Sequence, residues 1–284
     1  MATAVPCNLK LTMESGQPPH FLWTGDGSHY WRELSGKKIE LKQTGGDATF
    51  GKPHERHASE LLRAGDDLQE IYEAIATDGV MRRAIGKYAG MRLTKNDAWE
   101  TTVAFLCSQN SNIKRIRQNV RGMLGKDGKV MAAEQMAKAD LRKLNLGYRE
   151  PYLKGTAAMV ASGEFDLAGV KRLSYEDGRE ELQLLPGVGP KVADCILLYG
   201  FGKLEAFPND VWIGRAMAKW YGAKTPRAVG EFAQKRWGAL AGYAQQYLFS
   251  LARDELAARK PAAANAAPYR TTPTQGIISV GKRK

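Results

Sequence analysis

Leu184-Leu-Pro-Gly-Val-Gly-Pro-Lys-Val-Ala-Asp-Cys195 is the stretch that decides the architecture. A helix running into it must stop near Leu185, because Pro186 and the glycines behind it cannot continue one. Val192, Ile196 and Tyr199 then recur at i, i+4 and i+7, the spacing of one face of a new helix. Between the two helices, Pro186-Gly-Val-Gly-Pro190 reads as a tight hairpin. Its glycines let backbone N–H groups approach a phosphate at the positive end of the second helix. The pattern differs from the phosphate loop of NTPases, which needs Gly-x-x-x-x-Gly-Lys-Ser/Thr.

A helix-hairpin-helix by itself indicates only non-specific binding to a nucleic-acid backbone. Two further residues sharpen the reading. Lys191 opens the second helix, and Asp210 follows nineteen residues later in Phe207-Pro-Asn-Asp-Val-Trp212. Pro208 precedes another helix, which predicts Asp210 at or near its N-cap. A nucleophilic amine would then stand beside a carboxylate.

Working outward, residues 1–53 read as β structure. Cys7, Leu9, Leu11 and Met13 alternate with polar residues, which predicts a half-buried strand. Ile39 and Leu41 alternate likewise before a Gly45-Gly46 turn, and His29-Tyr30-Trp31 between glycine-rich breaks reads as another strand. After His54 the spacing becomes helical, through Leu61-Leu62, Leu68, Ile71-Tyr72 and Ile75. Asp97 is placed to cap a helix carrying Val103, Leu106 and Cys107. The expected class is α+β: an N-terminal antiparallel β-sheet domain with adjoining helices over residues 1–91, then a mostly α-helical, two-lobed domain containing the helix-hairpin-helix over 92–255. Residues 256–284 are biased and basic, with no acid after Glu255, and read as a mobile tail; a short strand at 276–280 is the alternative.

The 284 residues carry 42 Lys+Arg against 30 Asp+Glu, a net charge of +12, which favours a polyanionic partner. Three cysteines are too few for a four-thiolate iron–sulfur cluster, and their odd count and wide separation argue against a disulfide framework. The four histidines all precede residue 60 and show no metal-ligand spacing with the cysteines. No apolar run is long enough to span a membrane, no secretory leader is evident, and the cysteines suit a reducing compartment, so an intracellular protein is expected, in the cytoplasm or nucleoid of a prokaryote or the nucleus of a eukaryote; a monomer is also expected.

With these residues in view, the chain resembles the helix-hairpin-helix glycosylase superfamily and, within it, the 8-oxoguanine DNA glycosylase family of the eukaryotic type. The resemblance runs from about residue 8 to 254. It includes Ser15-Gly-Gln17, Phe105-Leu-Cys-Ser-Gln-Asn-Ser-Asn-Ile-Lys-Arg-Ile116, Leu146-Gly-Tyr-Arg149, the hairpin, and Ala241-Gly-Tyr-Ala-Gln-Gln-Tyr-Leu-Phe-Ser250. It implies base excision from damaged double-stranded DNA. Lys191 would attack C1′ of the deoxyribose and Asp210 would stabilise the positive charge developing on the sugar. The amine attacks only when neutral, a form that burial and a positive helix end favour. The adduct would open to a Schiff base, from which β-elimination nicks the strand. A relative without the lysine would use water and stop at an abasic site.

The same resemblance assigns the remaining roles. The target base must leave the duplex to be reached. Phe249 and Cys195 would cover its two faces and Gln245 its Watson–Crick edge, since an amide both donates and accepts. The Gly16 carbonyl would recognise the proton that N7 carries in 8-oxoguanine and lacks in guanine. Asn110, Arg115 and Arg149 would hold the orphaned cytosine, with Tyr148 wedged into the stack. The N–H groups of Gly187, Gly189 and Val192 would bind the DNA backbone. Carbonyls of Gln183, Leu185 and Val188 would hold a structural monovalent or divalent cation, and no other cofactor is required. The chain departs from the family's pattern at Pro18-Pro19-His20, at Gln109 and Ser111, and at Trp212, where a histidine is usual; indole donates one hydrogen bond but cannot become cationic.

Two other readings are open. A glycosylase of this fold acting on alkylated bases would need neither Lys191 nor the set Gly16, Gln245 and Phe249. A non-enzymatic DNA-binding module would explain the charge but leave Lys191 with Asp210 unaccounted for.

Overall fold

The computed structural model describes residues 3–52 and 54–257; of the segment 256–284 read as a tail, Leu256 and Ala257 belong to the last helix and the rest lies outside the described residues. The architecture is α+β. Five short strands, β1 (Thr3–Pro6), β2 (Thr24–Gly25), β3 (His29–Leu34), β4 (Lys37–Thr44) and β5 (Asp47–Phe50), form an antiparallel sheet in the order β1-β5-β4-β3-β2. The β3–β4 hairpin turns at Ser35-Gly36, both with positive φ (52° and 73°), the turn whose twist suits a hairpin. Tyr30, Ile39, Leu41, Ala48 and Phe50 point into the core.

One expectation is corrected. The alternating run Cys7 to Met13 is not a strand: β1 ends at Pro6, and Leu9–Met13 is a short helix. The Asn8 side chain caps it by accepting from the Leu11 N–H at 3.0 Å. Leu9 and Met13, four residues apart, satisfy a helical face as well as an alternating one, and both are buried.

The helices gather around Ala98–Ser108, whose residues from Glu100 to Cys107 are all buried. Asp97 caps it, accepting from the Glu100 N–H at 2.9 Å. This central helix packs on Ile113–Arg121 and on Pro190–Ile196. The long helix Ala241–Ala257 packs on Val211–Tyr221 and on Gly79–Lys87. A continuous apolar core joins sheet and helices, from Val5 and Leu41 through Leu106 and Leu197 to Leu251.

Two buried polar devices tie sheet to helices. Arg32 on β3 makes a bidentate pair with Glu100 at 2.5 and 2.8 Å. The fully buried Arg92 guanidinium donates to the carbonyls of Pro6, Leu62, Arg63 and Asp66. Every nitrogen of the Arg92 guanidinium is bonded, whereas Arg32 keeps a buried Nε without a partner among the described residues and relies on its paired carboxylate. Among the described residues no helix is long and apolar enough to cross a membrane.

Candidate active site

The hairpin forms as its glycines and prolines require. Helix Tyr175–Leu182 stops before Pro186, and helix Pro190–Ile196 starts with proline at its first position behind Gly189. Gly187 has φ of +78°, and a Cβ there would lie 2.5 Å from the Tyr152 ring, so glycine is needed for both conformation and space. The Val188 N–H donates to the Leu185 carbonyl at 3.0 Å and closes the turn. No hydrogen bond among the described residues engages the N–H groups of Gly187, Gly189 and Val192, or the carbonyls of Gln183 and Val188. Asp194 ties the two helices together, accepting from Arg179 at 2.7 Å and Tyr175 at 3.0 Å, and burial raises its carboxyl to about 6.

Lys191, at the second residue of helix Pro190–Ile196, holds its amine 5.1 Å from the centre of the Phe105 ring. Asp210 is the N-cap of helix Val211–Tyr221, its carboxylate accepting from the Ile213 N–H at 2.8 Å. Burial raises the Asp210 carboxyl above its usual range, while the Ile213 N–H, the Lys191 charge and Arg253 act in the opposite direction. The aspartate is therefore a partly desolvated carboxyl whose upward shift is opposed by a helix end and an amine.

Both residues border one cavity of about 340 Å³, a volume that accommodates a purine base. Gly16, Cys195, Gln245 and Phe249 line the same cavity. Four segments far apart in sequence thus meet: the Ser15-Gly-Gln17 loop, the hairpin helix, the Asp210 cap and the C-terminal helix. The loop is held by Gln17, which is fully buried, donates to the Arg92 carbonyl at 3.0 Å and accepts from the Thr94 N–H at 2.8 Å. Gly16 sits beside it with φ of +90°, against the Phe249 ring. Arg253 also lies over that ring, its guanidinium 5.5 Å from the centre. Burial pushes the Cys195 thiol up to about 11, so it is a neutral, apolar wall. Gln245 donates from Nε2 to the Pro208 carbonyl at 3.1 Å, and its buried Oε1 has no partner among the described residues.

Asn110, Arg115, Tyr148 and Arg149 are absent from the cavity lining and cluster outside it. Asn110, with φ of +45°, donates from Nδ2 to the Tyr148 hydroxyl at 2.9 Å. Tyr148 is 46% exposed and projects outward. Arg149 is buried beneath it at 5% exposure, its guanidinium 4.7 Å from the Tyr148 ring and donating to the carbonyls of Gln109, Leu146 and Asn110. Arg115 is exposed and donates to the Asn145 carbonyl at 2.6 Å. Gln109 links this cluster to the hairpin by donating to the Gly187 carbonyl at 3.1 Å.

Other residues of the cavity were given no role there by the sequence, although Ser111 and Trp212 stood out as departures from the family's pattern and Phe105 and Tyr199 lay in its motifs. Phe105 lies under the Lys191 amine, and Tyr199 stacks on Phe105 at 5.6 Å. Tyr199 stands in a π turn, Leu197–Phe201, that ends the hairpin helix. Trp212 borders the cavity, with Arg215 over its indole at 5.2 Å. Ser111 and Gln246 also line it, each with a buried polar side-chain atom that has no partner among the described residues. Arg253 was missed, although its position one helical turn after Phe249 could have pointed to it.

Comparison with known proteins identifies the family and the fold. The family described as 8-oxoguanine DNA glycosylase, N-terminal domain, matches residues 2–102, and the helix-hairpin-helix motif matches residues 175–199. The structure of MBOgg1 in complex with a low-affinity DNA ligand is 30% identical with a TM-score of 0.80, covering 89% of this chain and 96% of that one. The 8-oxoguanine glycosylase/lyase of Clostridium acetobutylicum, solved with double-stranded DNA containing cytosine opposite 8-oxoguanine, is 27% identical with a TM-score of 0.81 over 89% of this chain and 93% of that one. A probable N-glycosylase/DNA lyase of Methanothermobacter thermautotrophicus is 49% identical over 116 residues, 40% of this chain and 37% of that protein.

Proposed function

This chain belongs to the 8-oxoguanine DNA glycosylase family, and from that premise we propose that it is a bifunctional glycosylase and lyase of base-excision repair that removes 8-oxoguanine from duplex DNA. The observation that carries the reading is the single cavity on which Lys191, Asp210, Gly16, Cys195, Gln245 and Phe249 converge.

The chemistry follows from those groups. The bond between base and C1′ breaks, and the base leaves with the bonding electrons and takes up a proton. Asp210 stabilises the positive charge on the sugar while neutral Lys191 Nζ forms a bond to C1′. The amine loses its protons as the sugar ring opens to an imine. Removal of a C2′ proton then expels the 3′ phosphate by β-elimination. Gly16 and Gln245 read the lesion, and Phe249 with Cys195 sandwiches it.

The free N–H groups of Gly187, Gly189 and Val192 suit phosphate oxygens. A structural cation would sit on the Gln183 and Val188 carbonyls, with Leu185 keeping one lone pair beside its hydrogen bond to Val188. Asn110, Arg115 and Arg149 would favour cytosine opposite the lesion, with Tyr148 as wedge. The enzyme would act as a monomer without a catalytic cofactor.

Borohydride reduction tests the central step. The wild type should be trapped covalently on a duplex containing 8-oxoguanine, and Lys191→Gln should give no adduct. An equal yield from the variant would remove Lys191 from the mechanism.

A further inference from the structure

Gln246 follows Gln245 on helix Ala241–Ala257, borders the same cavity and is only 2% exposed. Each glutamine leaves one buried amide atom without a partner among the described residues: Oε1 of Gln245, an acceptor, and Nε2 of Gln246, a donor. An unpaired buried amide atom is costly, and a ligand that satisfies it cancels the cost.

The sense of each amide is set by its other end. The Pro208 carbonyl can only accept, so it takes Gln245 Nε2 and leaves Oε1 free. Tyr199 Oη donates to Gln246 Oε1 at 2.7 Å, the hydroxyl's only hydrogen bond among the described residues. Turning that amide over would strand the phenolic proton and the amide oxygen together, so the free atom is the donor. Tyr199 is itself fixed. Its carbonyl accepts from the Asn96 N–H at 2.7 Å, and its ring stacks on Phe105 at 5.6 Å.

We propose that Gln246, oriented by Tyr199, donates to the 6-carbonyl of the flipped base, so that the two adjacent glutamines select a 6-oxopurine over a 6-aminopurine. The inference rests on the reading of the cavity as the base pocket. A 6-oxopurine presents an N1–H donor beside a C6 carbonyl acceptor, matching Gln245 Oε1 and Gln246 Nε2. A 6-aminopurine reverses both groups and would leave donor facing donor and acceptor facing acceptor. Neither amide atom meets solvent in the free protein, so the side chains over them part as the base enters. Gln246 acts on specificity and has no part in bond breaking.

Single-turnover excision from duplexes carrying 8-oxoguanine or 8-oxoadenine, each opposite cytosine, tests this with wild type, Gln246→Met and Tyr199→Phe. Gln246→Met keeps the side-chain length and removes the donor. It should slow 8-oxoguanine excision about tenfold, the worth of one buried hydrogen bond, and leave 8-oxoadenine excision unchanged or faster. Tyr199→Phe releases the amide and should lower the ratio of the two rates in the same direction, which keeps the test available if Gln246→Met fails to fold. Equal slowing of both lesions, or an unmoved ratio in a variant with wild-type melting, overturns the role of Gln246 while the substrate reading stands. A wild type that excises no 8-oxoguanine overturns the substrate reading and this inference with it.

Discussion

Asp210 combines two demands in one side chain. As a helix cap it needs an oxygen acceptor, and as an electrostatic partner it needs a charge. Asparagine meets the first demand and not the second. Burial raises its carboxyl above the ordinary 3.8, and only the ionised form stabilises a cationic sugar. Excision should therefore slow as pH falls through that raised value, with an acid limb above the range of an exposed aspartate. Asp210→Asn should lose roughly 100-fold or more in single-turnover rate and lose that limb, while duplex binding persists. Stability should move the other way. A carboxyl raised in the folded state stabilises the fold most at low pH and loses that contribution as pH rises from 3.8 through the raised value. Asp210→Asn should thus melt no lower than wild type near neutral pH. A folded variant with a near-normal rate would reduce Asp210 to a cap.

The two arginines of the outer cluster differ in what they hold. Arg115 is exposed with one hydrogen bond, whereas buried Arg149 satisfies three carbonyls. Arg115→Ala should flatten the preference for cytosine opposite the lesion by roughly 10–100-fold, with little change in melting temperature. Arg149→Ala should also destabilise the fold, since Gln109, Leu146 and Asn110 lose their donor. Rates on four duplexes, with each base opposite 8-oxoguanine, decide the point: equal slowing on all four would make Arg115 a phosphate contact.

At the scale of elements, the hairpin is the part with least freedom. Gly187 meets three constraints at once: its φ is left-handed, its missing Cβ makes room for Tyr152, and its carbonyl takes the Gln109 amide. Gly187→Ala strains the turn and pushes on the Tyr152 ring, moving the N–H groups on either side. A loss of about 1–2 kcal/mol in stability is expected from the backbone alone. Duplex affinity should fall for damaged and undamaged DNA alike, because backbone contacts carry no sequence information. Calorimetry and titration of an undamaged duplex measure both effects, and unchanged affinity in a folded variant would place the phosphate contacts elsewhere.

For the whole molecule, charge is the governing quantity. Six of the net twelve positive charges lie in residues 258–284, a stretch with no acidic residue. Removing it should weaken binding to undamaged duplex and reduce the slope of log affinity against log salt by up to about 5, at about 0.9 for each phosphate that the truncated protein leaves unneutralised. Excision under saturating enzyme should be unaffected, since the cavity is built from residues 15–253. A salt slope that does not change on truncation would mean that the tail makes no contact with DNA.

Local chemistry was enough to place the hairpin, the Asp97 and Asp210 caps, the β3 and β4 strands and the amine at the start of its helix. Each depends on glycine and proline geometry, on a capping oxygen or on a short period, all of which act within a few residues. The run Cys7–Met13 was misread because residues spaced by four fit both an alternating and a helical face, and a cap with packing chose between them. The resemblance named the pocket residues Gly16, Cys195, Gln245 and Phe249. Only tertiary structure decided how Gly16 comes against Phe249, through Gln17 held by Arg92 and Thr94. Tertiary structure alone also decided that Arg149 is buried on carbonyls while Arg115 is exposed, and that Gln246 keeps an unpaired donor beside Gln245. Such facts depend on which hydrogen-bond partners remain after distant segments pack together, and no local pattern encodes that remainder.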